Sequence, residues 1–258
     1  MKQPIVIVGV GELAGVFSYG FLKCGYPVYP ITRSMNLTEQ HRRIPTPKFV
    51  LVTVQESELH SVLKQMPEEW QDKVGLVQNE LLPRDWLMHK IINPTVTVVW
   101  FEKKKNKALT NILQSPSFGP NALIVSNALH AVDIPAPILD DEHDLLYELV
   151  RKSLYILTVN IAGLVNNCTV GELWLNNQTL AREIAEEVIF ILESLTGKQL
   201  PREKLIIGMV EGIKDCPQRH CLGRSAESRL TRVLKSAREK NLKTPKLTEI
   251  FNSFAGKA

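Results

Sequence analysis

Residues 5–15 read Ile-Val-Ile-Val-Gly-Val-Gly-Glu-Leu-Ala-Gly, an apolar run that ends in Gly9-x-Gly11-x-x-Ala14. Each residue type in it answers a separate geometric demand. Ile5 to Val8 have the β-branched, uninterrupted character of a strand buried on both faces. Gly9 permits a tight turn, Gly11 lets the backbone approach a pyrophosphate, and small Ala14 lets the next helix pack close to the strand. The free N–H groups where that helix starts, at Glu12, Leu13 and Ala14, make an anion site. The feature predicts dinucleotide binding.

Downstream, strand and helix signals alternate. Val16–Cys24 carries a helical pattern closed by Gly25-Tyr26-Pro27. Val28–Thr32 predicts a second strand, and Pro30 within it points to an edge or a bulge. Phe49–Val54 predicts a third strand, Glu58–Met66 a helix, Val74–Gln78 a fourth strand and Thr95–Phe101 a fifth. This βαβ alternation implies a parallel sheet covered by helices. Ala108–Gln114 and Asn121–Val125 read as further short strands, with turn chemistry over Ser115–Pro120. Ile134-Pro135-Ala136-Pro137 reads as a linker, beyond which strand signals nearly vanish. Asp140–Asn167 predicts a long helix whose acidic first turn suits the helix dipole. Thr179–Leu195, Pro201–Ile213, Ser225–Lys240 and Lys246–Phe254 continue as helices. The expected fold class is α/β: a Rossmann-like dinucleotide-binding domain over residues 1–137, then an all-helical domain over residues 138–258.

Composition narrows the function classes. The net charge of +4 is too slight to argue for nucleic acid. The basic cluster Lys103-Lys104-Lys105-Asn106-Lys107 lies between apolar runs and reads as a solvated hairpin turn. No segment reaches the ~18 apolar residues of a membrane span, and Gly9, Gly11 and Glu12 interrupt any signal-peptide core. Cys24, Cys168, Cys216 and Cys221 lack a disulfide-framework spacing, so free thiols and a cytoplasmic location are expected. Cys216 and Cys221 flank His220, but zinc asks for tighter pairing of about four ligands, and no metal is expected.

The end of the second strand normally carries the residue that reads the adenosine ribose. An acidic residue there would grip the 2′-OH of NAD; this sequence has Thr32-Arg33-Ser34. Arg33 can pair with a 2′-phosphate and stack on adenine, and Ser34 can add a hydrogen bond. The cofactor expected is NADP(H).

A second informative stretch runs from Leu145 to Ala162, where Lys152 and Asn160 interrupt an otherwise apolar helix. Two i+4 steps separate them, so they drift only about 80° around the helix and can face one cleft. A partly desolvated lysine titrates readily and can protonate a carbonyl oxygen as hydride reaches carbon. The bland alternative is a snorkelling lysine and a core asparagine.

With these residues in place, the chain resembles the ketopantoate reductases (2-dehydropantoate 2-reductases), NADPH-dependent enzymes with a Rossmann domain and a helical C-terminal domain. The resemblance runs in order along essentially the whole chain. It begins with the glycine turn and Arg33. Val77-Gln78-Asn79-Glu80 is similar to the family's hydrophobic-x-Asn-Gly turn, which implies that Asn79 lies near nicotinamide and substrate. Phe118-Gly119-Pro120 is similar to its Ile-Gly-Pro turn, and Leu149-Val150-Arg151-Lys152 to the helix carrying its catalytic lysine. Gly223-Arg224-Ser225-Ala226-Glu227 resembles its Gly-Arg-x-Thr-Glu motif, which implies that Glu227 binds the substrate hydroxyl. Departures accompany these matches. Asparagines usually follow the lysine by four and eight residues, but here those positions hold Ile156 and Asn160. Gln55 replaces a frequent lysine, Asp215 stands where the family places a carboxylate-binding serine, and Ser228-Arg229-Leu230 replaces an acidic-aromatic stretch.

Two readings follow. In the first, the protein is an NADPH-dependent reductase of a 2-oxo acid, as the family converts 2-dehydropantoate to pantoate in pantothenate biosynthesis. Lys152 is then the general acid, Glu227 joins it in the catalytic set, and Asn79 and Asn160 position the carbonyl. In the second, a degenerate NADP(H)-binding protein acts in sensing or interaction, and Ile156 and Asp215 mark the lost chemistry. The partner expected is a small 2-oxo acid, with neither nucleic acid nor membrane, and a homodimer is left open.

Overall fold

The computed structural model describes residues 2–255. Along the chain run β1 (Ile5–Val8), α1 (Glu12–Lys23), β2 (Val28–Ile31), α2 (Leu37–Arg43), β3 (Phe49–Val52), α3 (Glu56–Lys64), α4 (Glu68–Gln71), β4 (Val74–Leu76), α5 (Pro83–Leu87) and β5 (Thr95–Thr97). They are followed by β6 (Phe101–Glu102), β7 (Thr110–Asn111), β8 (Ser117–Phe118) and α6 (Ala122–His130). Then come only helices: α7 (Glu142–Val165), α8 (Val170–Asn176), α9 (Gln178–Thr196), α10 (Arg202–Asp215), α11 (Ala226–Glu239) and α12 (Pro245–Ala255). The chain divides into two compact units, Met1–Leu149 and Val150–Ala258. That division falls inside α7, twelve residues past the Pro-rich segment at which the sequence suggests a boundary.

The first unit is built on a six-stranded sheet ordered β2-β1-β3-β4-β5-β8. Its first five strands are parallel, and β8 runs antiparallel to β5. β1 and β3 are buried at every residue, as their uninterrupted apolar runs require. Pro30 is tolerated because β2 is an edge strand, paired with β1 alone. The chain reverses its direction of travel across the sheet between β1 and β3, so the crevice beyond their carboxyl ends is a topological switch point. Helix α1 lies against α6, and a Cβ on Gly20 would come within 2.2 Å of the Ala128 carbonyl oxygen.

Four expectations are corrected by the structure. Asn121–Val125 is not a strand but the start of α6, whose buried Ala122, Val125, Ala128 and Leu129 follow a helical spacing. The β-branched Ile124-Val125 pair suggests a strand, but burial of that stripe against α1 decides otherwise. The presumed turn over Ser115–Pro120 contains β8, and only Thr110–Asn111 of the predicted 108–114 strand pairs, with β6. The Pro-rich segment is no loose linker either. Pro135 and Pro137 carbonyls accept from the Ser115 and Ser117 amides at 2.8 and 2.9 Å, and the Leu139 amide donates to Ser117 at 2.9 Å.

The second unit is all helical. Residues 152–163 of α7 are buried all round, which suits their nearly continuous apolar sequence. A capping box between Thr169 and Glu172 starts α8, and Gly197 ends α9 in the left-handed conformation. Glu187 of α9 accepts from the amides of Lys246 and Leu247 and so caps α12.

Candidate functional site

In the first unit the glycine turn forms the floor of a cavity of about 510 Å³ at the switch point. Gly9, Gly11, Arg33, Thr53, Gln55 and Glu58 are among its lining residues. The turn is held rigidly. Gly9 has φ +96°, its amide donates to Ile31 O at 2.9 Å, and Thr53 Oγ1 donates to Gly9 O at 3.0 Å. Gln78, buried after β4, donates its amide Nε2 to the carbonyls of Val52 and Val54 at 3.0 and 3.1 Å. That bond holds the end of β3, which forms the opposite wall. The sequence places Gln78 only at the variable position of the 77–80 turn and so gives it no role of its own.

The cavity fits a dinucleotide on chemical grounds. Gly11 is the N-cap of α1 and has no side chain to cap it, so the helix's first amides retain their hydrogen-bonding capacity. A Cβ built on Gly11 meets nothing within 4 Å, so the backbone there faces open space. A helix N-terminus facing open space beside an arginine is what a pyrophosphate and a further phosphate need. Glu12 is exposed in the first turn, Leu13 is half-buried, and Ala14 is buried in the core with Ile5 and Ile7.

Arg33 closes β2 as the sequence suggests, but it is engaged. Its Nε lies 3.0 Å from Glu58 Oε1, and its Nη2 donates to Glu58 Oε2 at 3.2 Å. Asn79 does not line this cavity. It sits after β4, where its Nδ2 donates to Glu56 Oε1 at 2.9 Å. The first turn of α3 thus supplies two carboxylates, Glu56 to Asn79 and Glu58 to Arg33.

In the second unit Lys152 is 4% exposed, with Nζ 6.0 Å from the centroid of the Tyr155 ring. Arg219 stacks its guanidinium 5.9 Å from the same ring and donates to Tyr155 Oη at 3.3 Å. Burial pushes the Tyr155 phenol up, and the Arg219 charge partly opposes that shift. Asn160, also buried in α7, uses both ends of its amide. Its Oδ1 accepts from Arg229 Nη1 at 2.8 Å and its Nδ2 donates to Cys221 O at 3.2 Å. A Cβ on Gly223 would lie 2.5 Å from Asn160 Oδ1, so the 221–223 segment lies hard against this asparagine. Glu227 is exposed in the first turn of α11, Asp215 is exposed at the end of α10, and Ile156 is buried in α7. The sequence marks Arg229 only as a departure from the family pattern, since only tertiary packing reveals it as a buried arginine.

Cys168 and Cys221 bring their sulfurs to 3.9 Å as free thiols. Burial, with the Cys168 sulfur beside it, pushes the Cys221 thiol up to about 12. Among the described residues there is no cluster of three or more metal-ligating side chains. No helix of the described residues is long and apolar enough to cross a membrane.

No protein-family model matches the sequence, and no curated protein matches it. Solved structures do share its fold. The 2-dehydropantoate 2-reductase of Methylococcus capsulatus superposes with a TM-score of 0.66 at 11% identity, covering 98% of this chain and 96% of that one. The dimeric ketopantoate reductase of Staphylococcus aureus gives 0.65 at 16%, covering 98% of each. D-mandelate dehydrogenase in complex with NADH gives 0.68 at 13%, covering 99% and 98%. The chain therefore has the ketopantoate reductase fold, a Rossmann-like unit followed by helices. At such identities the likeness is one of fold, and chemistry must be argued from side chains.

Proposed function

We propose that this chain is a divergent member of the ketopantoate reductase family, an NADP(H)-dependent reductase of a 2-oxo acid. The observation that carries the reading is the switch-point cavity, where an open glycine turn at a helix N-terminus meets Arg33. The amides of Glu12, Leu13 and Ala14 bind the pyrophosphate, and Arg33 with Ser34 binds the 2′-phosphate. When bound, the dinucleotide supplies hydride to the substrate carbonyl carbon. Lys152 donates the proton to the carbonyl oxygen. Its burial removes competing water and strengthens its field on the developing alkoxide. Asn79 borders the reacting groups, with its amide oriented by Glu56. Asn160 serves the substrate through Arg229, which it holds, and Glu227 binds a substrate hydroxyl. The proposed assembly is a cytoplasmic homodimer.

A second reading, NADP(H) binding without turnover, draws on the same site. Both functions of the Asn160 amide are used internally, and Ile156 offers no polar group in place of the family's other asparagine. One experiment separates the two. NADPH binding is followed by fluorescence, and NADPH oxidation is followed with a panel of 2-oxo acids that includes 2-dehydropantoate. The reductase reading expects turnover with at least one acid. It also expects Lys152→Ala to keep NADPH affinity within about threefold while kcat falls by ~10²–10⁴. Binding with no turnover across the panel would leave the second reading, and no binding of either dinucleotide would remove both.

A further inference from the structure

The Arg33–Glu58 pair carries a consequence for which dinucleotide this cavity takes. Among the lining residues only these two are charged, one cation and one anion. Glu58 meets the guanidinium in a two-point contact, Oε1 to Nε at 3.0 Å and Oε2 to Nη2 at 3.2 Å. A 2′-phosphate needs the same planar fork of donors, because phosphate and carboxylate oxygens match it in the same way. With Glu58 in place, that phosphate must displace a carboxylate and then remain beside it, like charge against like. A ribose 2′-hydroxyl makes the opposite demand. It offers a proton, and a carboxylate is the acceptor that dinucleotide sites use for it. Such a carboxylate ordinarily closes the second strand; here the first turn of α3, following β3, delivers one to the same cavity. The pair is also loose. The Arg33 side chain is 81% exposed and that of Glu58 34%, so either can release the other at little cost.

We propose that Glu58 is a cofactor-specificity residue. It occupies Arg33 in place of a 2′-phosphate and accepts from the 2′-hydroxyl of an unphosphorylated dinucleotide, so that the cavity takes both NADPH and NADH with modest discrimination. The proposal rests on the dinucleotide reading above and deepens it. Arg33 alone would make a strict NADP(H) site. Arg33 neutralised by Glu58 makes a dual one.

The test is a pair of binding titrations of the full-length protein, with NADPH and NADH separately at fixed ionic strength, reading protein fluorescence or heat. The wild type is expected to bind the two with dissociation constants within about tenfold of each other. Glu58→Gln keeps the shape and removes the charge; NADPH should tighten by roughly tenfold as a nearby like charge disappears. NADH should stay unchanged or weaken severalfold under the same substitution. Arg33→Ala should weaken NADPH by at least about tenfold and leave NADH within about threefold, since Glu58 is then released to the ribose. An NADPH-to-NADH ratio that Glu58→Gln moves by less than about twofold would overturn the specificity role while leaving the dinucleotide site standing. A folded wild type that binds neither dinucleotide would instead overturn the reading beneath it.

Discussion

Gly9 and Gly11 sit two residues apart and are glycine for opposite reasons. Gly9 has φ +96°, and a Cβ there would lie 3.0 Å from Val54 Cγ1 and 3.1 Å from Val54 N. Gly9→Ala should therefore destabilise the fold by about 2 kcal/mol or more, measurable by urea unfolding. Gly11 meets no neighbour, so Gly11→Ala should cost no more than about 1 kcal/mol of N-cap preference. If the open space over it is where a pyrophosphate lies, the same substitution should weaken NADPH at least about tenfold; unchanged affinity would move the cofactor elsewhere. Cys221 offers a test of local environment in the second unit. It is fully buried with its thiol pushed up to about 12. At pH 8 the native protein should thus alkylate at Cys24, Cys168 and Cys216 well before Cys221, as peptide mass mapping would reveal.

At the scale of elements, close approach and capping decide more than propensity. Gly20 lets α1 touch α6, and Gly20→Ala would place a Cβ 2.2 Å from the Ala128 carbonyl oxygen. Backbone cannot yield there as a flexible side chain would, so the loss of stability should exceed that of Gly9→Ala. In the second unit Glu193 of α9 accepts from the Leu200 amide and from Arg202, joining α9 to the start of α10. Burial alone would raise its pKa, but the Arg202 and Leu200 bonds together outweigh burial and hold the carboxyl below the usual carboxylate range. A depressed folded-state pKa means the contribution is full above the unfolded value and is lost as pH falls through the folded one. Glu193→Gln should lower the midpoint of thermal unfolding by on the order of 2–4 °C at pH 7, and the gap to wild type should close as pH falls below the usual carboxylate range.

For the molecule as a whole, the segment expected to separate two domains is an integral part of the first. Ile134 and Ala136 are fully buried, and residues 135–139 are hydrogen-bonded to residues 115–117. Limited digestion with a non-specific protease should therefore spare residues 134–139. It should begin instead at the exposed hairpin tip around Lys104–Lys107, between β6 and β7. First cleavage within 134–139 would contradict the hydrogen bonding described. The basic tip itself is a turn in the sequence and a turn in the structure, its Lys107 amide bonded to Lys104 O at 3.1 Å.

The amino-acid sequence determined the parallel sheet, the glycine turn and the run of helices after residue 140. Those features rest on local periodicity and on residue types with few conformational options. It also named Arg33 and Lys152 from their positions on a strand end and an apolar helix. Tertiary structure alone decided who their neighbours are. Glu58 reaches Arg33 from 25 residues away, and Arg229 takes Asn160 from 69 residues away. It likewise made a helix of Ala122–His130 and bonded a proline-rich stretch to residues 115–117. A side chain's chemistry is written in its own residue, but its charge partner and its burial belong to segments that meet only when the chain folds.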